Sequence, residues 1–123
     1  MSDCFVTLPR KIKVGSFTYR ILLVHPDDPR LKVEGNPSYA VTDTVALRIY
    51  VDEGMERENA LSVMIHELQH CVNNVFGIGD SSDEEAVATQ SGMGWFNIWM
   101  ENPKLLTWVG RMTREIRRES KAI

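Results

Sequence analysis

With 123 residues, 43% apolar and 25% charged side chains, the chain has the size and composition of one globular domain, which excludes a disordered polymer and a multidomain assembly. No apolar run approaches the roughly 18–20 residues of a membrane span, so no membrane partner is expected. The net charge of −3 offers no general attraction to nucleic acid, and nucleic acid is not expected as a partner.

The first stretch, residues 1–9, reads as a loose terminus with no basic-then-apolar leader. Its Cys4 and the distant Cys71 are too few for a disulfide framework, so a reducing cytoplasm is the expected compartment. Ile12–Val14 and Phe17–Val24 are β-rich runs joined by Gly15-Ser16, a two-residue hairpin turn. His25-Pro26-Asp27-Asp28-Pro29 breaks the chain into a loop, and His25 is a loop residue rather than a ligand. Tyr39–Val41 and Val45–Val51 form the next strand pair around a turn at Thr42-Asp43-Thr44. Because these links are short, a small antiparallel sheet of three to four strands is expected.

Three helices follow. Leu61, Met64, Ile65, Leu68, Val72, Val75 and Phe76 recur at three- and four-residue spacing from about Met55 to Phe76, and Gly77 supplies a left-handed stop. After the loop Gly77–Ser82, a second helix runs from Asp83 to about Glu101, where Asn102-Pro103 ends it. Pro103 also suits the first turn of a third helix, which reaches about Glu119 with Leu105, Trp108, Val109, Met112 and Ile116 as its stripe. The segment 104–123 is basic and amphipathic, carrying Lys104, Arg111, Arg114, Arg117, Arg118 and Lys121. The fold class expected is therefore α+β, a single domain over 1–123.

The chemistry concentrates on the first helix, in His66-Glu67-Leu68-Gln69-His70, an H-E-x-x-H pattern. Residues four apart stack on one helix face, so His66 and His70 can aim two nitrogens at one point. Glu67 sits one step round, close enough to act on a water there without binding the metal. This is the spacing of a zinc hydrolase with an open coordination position. The histidines border the apolar stripe and are expected mostly buried, beside a cleft. Cys71 points away from His70 and reads as an apolar filler.

Catalytic zinc takes three protein ligands, and no third histidine is well placed. Glu84 and Glu85, at the head of the second helix, are the candidates. Ser81-x-x-Glu84 and Ser82-x-x-Glu85 both read as capping boxes. With Ser82 as the cap, Glu85 is engaged and Glu84 remains free, so Glu84 is the preferred ligand and Glu85 the alternative. Tyr39 and Tyr50 are sheet residues that could serve as oxyanion donors, and Val45–Val51, as an edge strand, could hold an extended substrate.

The H-E-L-x-H helix, the segment Asp83-Glu84-Glu85-Ala86-Val87 and the run Gly94–Pro103 together resemble small zinc metallopeptidase-like proteins of phages and prophages, near the ImmA/IrrE-type and SprT-like families within the gluzincin-like group. The resemblance covers roughly residues 11–105. It implies a minimal zincin-like fold, Zn2+ held by His66, His70 and Glu84, Glu67 as catalytic base, a peptide or protein substrate, and the cytoplasm of a host cell. Two departures stand out: relatives often carry an acid where this chain has Ala88, and the ligand spacing is shorter than in thermolysin-like enzymes. The expected activity is zinc-dependent peptide hydrolysis. The alternatives are a non-catalytic zinc-binding interaction module and a SprT-like protein acting near DNA through the basic third helix.

Overall fold

The computed structural model describes residues 3–122. Strands Lys11–Val14 (β1) and Phe17–Val24 (β2) form the expected hairpin, with Gly15 at φ +60° in its turn. The chain then makes a two-stranded ribbon, Lys32–Val33 (β3) with Asn36–Pro37 (β4), before Ala40–Asp43 (β5) and Arg48–Asp52 (β6). Helices Arg57–Val75 (α1), Glu84–Glu101 (α2) and Pro103–Ala122 (α3) complete the α+β fold. Among the described residues no helix is long and apolar enough to cross a membrane.

The main sheet has the order β1-β2-β6-β5 and is mixed, because β2 and β6 run parallel. The expectation of an antiparallel sheet treated consecutive strands as spatial neighbours. Instead β5 skips one position, and β6 folds back into the gap between β5 and β2. The expected strand at Val45–Val51 also starts later, at Arg48. Asp43 accepts hydrogen bonds from the Val45 and Ala46 N–H groups, Leu47 takes φ +57°, and Val45 is 94% exposed. That carboxylate turns the chain where the β-branched pattern promised a strand. As a result β6 is interior and cannot be the edge that holds a substrate; the free edge is β5.

Alternation sorts the sheet into two faces. Ile12, Val14, Tyr19, Ile21, Ile49 and Val51 point into a core closed by Met64, Leu68 and Val72 of α1, Ile98 of α2 and Trp108 of α3. The amino-terminal stretch joins this core and is not loose from Asp3 onward. Cys4, Phe5 and Leu8 are buried, Trp108 Nε1 donates to the Cys4 carbonyl at 2.7 Å, and the Phe5 and Trp108 rings stack. Apolar burial there outweighs the chain-end entropy; residues 1 and 2 lie outside the described residues.

The other sheet edge, β1, is closed by side chains. Asn102, buried between α2 and α3, accepts from Lys13 N–H at 2.8 Å and donates to the Lys13 carbonyl at 2.7 Å, as a neighbouring strand would. It also donates to the Ile98 carbonyl, while Asn97 accepts from Gly15 N–H at 2.7 Å. Gly94 lets α2 approach α1, since a Cβ there would lie 2.6 Å from Val72 Cγ1. Replacing Asn102 with Ala leaves the part-buried N–H and carbonyl of Lys13 without their partner, while the Ile98 carbonyl keeps the backbone N–H of residue 102. We expect a loss of about 2–3 kcal/mol, read as a lower urea midpoint with an unchanged m-value.

Candidate metal centre

No proline or glycine interrupts α1, and its end is set by Phe76 at the C-cap and Gly77 at φ +74°. Met64, Leu68, Cys71 and Val72 turn towards the sheet. His66 and His70 therefore emerge on the opposite side, both exposed rather than mostly buried. The stripe is narrower than its apolar residues suggested: Ile65, counted within it, is itself exposed.

The two imidazoles meet edge to face, with their Nε2 atoms 3.2 Å apart. Two nitrogens bound to one tetrahedral zinc at about 2.0–2.1 Å would be about 3.3 Å apart. The pair thus already has the bite of a chelate. His66, Glu67 and His70 each offer one donor atom within 4.8 Å of the others, and this group could hold a metal ion.

Glu67 differs sharply from its neighbours. It is 5% exposed, and Thr42 Oγ1 on β5 donates to its Oε2 at 2.6 Å. A carboxylate taken out of water needs such a donor. Below it, burial and then the nearby Glu67 charge push the Cys71 thiol up to about 12, which makes Cys71 an inert filler, as expected from its place on the helix.

Two further contacts set the rotation of α1. Gln69 Oε1 accepts from Trp95 Nε1 at 2.9 Å, and its Nε2 donates to Asn73 Oδ1 and Ser91 Oγ. On the other side Asn74 donates to the Tyr19 hydroxyl at 3.0 Å, whose own pKa burial raises. Gln69, Thr42 and Asn74 were not singled out in the sequence. Apart from Asn73, one turn from Gln69, their partners lie more than twenty residues away, with no local pattern to announce them.

The acids at the head of α2 stand apart from this cluster. Asp83, rather than either serine, caps the helix by accepting from Ala86 N–H, while the Ser82 hydroxyl accepts from Gly79 N–H. Neither capping box forms, because a shorter Asx cap satisfies the helix start first. Glu84 and Glu85 are both exposed, and neither belongs to the group of donors brought together around His66. Glu84 lies seven residues before Ser91 and so extends the α2 stripe that meets Gln69; Glu85 is turned about 100° away. His25 stays in its loop and accepts from Asp27 N–H. Tyr50 lies on the sheet face turned away from the helices, under the Arg30 guanidinium, so it is not an oxyanion donor for this site. Tyr39 is exposed at the far end of β5 from Thr42, beside Pro37 and Asp52.

No protein-family model, curated protein or solved structure matches the chain.

Thr42→Val removes the hydroxyl while keeping the branched shape, leaving a buried carboxylate short of a donor. We expect a stability loss of about 1–3 kcal/mol at neutral pH, with Thr42→Ser close to wild type in the same urea titration. Cys71 has a sign that can be worked out. Its folded pKa lies above its unfolded value of 9.0, so its contribution is complete below pH 9 and is lost as pH rises towards about 12. Cys71→Ala should flatten that alkaline decline in a series of denaturation curves.

Proposed function

We propose that this protein is a zinc-dependent peptidase with Glu67 as general base. The observation that carries the reading is the buried Glu67 carboxylate, fixed by Thr42 beside two imidazoles at chelating distance. A metal site that only holds the fold has no use for an unligated carboxylate at that place.

His66 and His70 would hold the zinc ion, which when bound would supply an acidified water and a Lewis acid for a substrate carbonyl. Glu67 presents Oε1, the oxygen not engaged by Thr42, to take the proton and pass it to the leaving amine. β5 is the free edge of the sheet, and it carries Thr42. An extended peptide pairing with that edge would lie against the site through main-chain hydrogen bonds. The resemblance to phage metallopeptidase-like proteins implies Glu84 as the third ligand, and its place on the α1-facing stripe of α2 supports it over Glu85. Two buried cysteines fit a reducing cytoplasm.

Metal content of protein purified without chelator tests the site. We expect about one zinc per chain in the wild type and in Glu67→Gln. The metal should be lost in His70→Ala and in Glu84→Ala, and kept in Glu85→Ala. A peptide-library screen should show cleavage by wild type that falls by about 10²-fold or more in metal-loaded Glu67→Gln. Zinc binding without any cleavage would instead favour an interaction module. Failure to bind zinc would remove both readings.

A further inference from the structure

The face of the sheet turned away from the helices carries an arrangement that the metal centre does not use. Lys11 pairs directly across the strands with Arg20, and Arg20 with Arg48, all three exposed. Neighbouring strands lie about 4.8 Å apart, so three cations stand in a row about 10 Å long. Like charges directly opposite one another destabilise a sheet. Among the described residues none of the three has an ion pair or a side-chain hydrogen bond. The nearest cross-strand acid, Asp43, is paired with Arg48 in register, but its carboxylate turns to Val45 and Ala46 N–H. Lys13, by contrast, has Glu101 at 3.9 Å.

The row is also shaped. Lys11, Arg20 and Arg48 line a shallow cavity of about 400 Å³ together with Arg10, Ile21 and Leu22. Arg10 is held in place by donating from Nη1 to the Phe5 and Leu8 carbonyls at 3.0 and 2.9 Å. Four cations therefore surround one concavity, and one of them is fixed before any ligand arrives.

We propose that this face binds the phosphate backbone of a nucleic-acid strand, without sequence preference. The row matches the rise of about three nucleotides of one strand. Guanidinium groups match phosphate oxygens with two parallel hydrogen bonds. An acidic polypeptide is the rival, but β2 and β6 are interior strands whose main chain is already paired. The only apolar residues lining the cavity are Ile21 and Leu22, whereas the closely spaced phosphates of a nucleic-acid strand gain affinity from counterion release. The chain's net charge of −3 is an average and does not describe this face.

Fluorescence anisotropy with a labelled mixed-sequence oligonucleotide of about 12 nucleotides, at about 50 mM salt, tests the proposal. The wild type should bind, and His70→Ala should bind equally, because this face is independent of the metal centre. The double variant Arg20→Gln/Arg48→Gln should weaken binding about tenfold or more and reduce the salt slope by about two. It should melt no lower than wild type, since it relieves a like-charge row; Lys11→Gln, measured alongside, provides a milder loss with the sheet's arginines intact. The proposal is overturned by any of four results, the last of them on α3. The first is no binding by wild type at low salt, and the second is unchanged binding by all the sheet-face variants. The third is equal competition by a polyglutamate peptide, which would mean that the face reads carboxylates. Arg114→Gln/Arg117→Gln/Arg118→Gln should bind as the wild type does; a loss there equal to that of the double variant would move the binding to α3 and overturn the assignment.

Discussion

A carboxylate inside a small core is the constraint around which this molecule is arranged. Glu67 faces the sheet because it follows His66 by one residue, and a helix that turns both histidines outward must turn the residue between them partly inward. Burial of that charge is tolerable only with a donor in reach, and Thr42 provides it from β5. The position of β5, the rotation of α1 and the outward aim of the histidines are thus linked through one hydrogen bond. Gln69 and Asn74 hold the same rotation from α2 and β2.

The two edges of the sheet are treated in opposite ways. β1 is sealed by Asn97 and Asn102, which stand in for a further strand and also tie the α2–α3 corner to the sheet. Among the described residues β5 has no further strand beyond it, and it is the edge beside the histidine pair. Free edges invite pairing with another chain and are usually blunted. Leaving open the one next to a candidate catalytic carboxylate is the pattern expected where an extended substrate is to be received.

How far the sequence was readable depended on the range of the interactions involved. Helix positions, the Gly15-Ser16 turn and the corner at Asn102-Pro103 are local, and they stand where periodicity and turn chemistry place them. The insertion of β6 between β2 and β5 was not legible, because strand order is decided by which apolar faces meet, not by the length of a link. Val45 misled for a related reason. Its β propensity is overruled by the Asp43 side chain, which satisfies two backbone N–H groups and fixes a turn. His66 and His70 followed from four-residue spacing alone, whereas Thr42 could not, since it lies twenty-five residues from Glu67 on another element.

The acids at the start of α2 show why spacing names a pair of ligands more readily than a third. Glu84 and Glu85 occupy the first helical turn, where the unpaired N–H groups and the helix dipole favour negative charge whatever else is present. An acid there is explained by the helix itself, so its presence carries little information about metal. Geometry is more selective. Glu84 shares a stripe with Ser91, but seven residues of helix separate them, about 10 Å along the axis, while His70 lies beside Gln69, the partner of Ser91. The imidazole pair is preformed at 3.2 Å, whereas the carboxylate is not gathered with it. If Glu84 is the third ligand, metal binding must therefore bring its carboxylate to the pair, by a turn of the side chain or by drawing the head of α2 towards α1. In the second case affinity at this centre would depend on how readily the loop from Gly77 to Asp83 yields, as well as on the donors themselves.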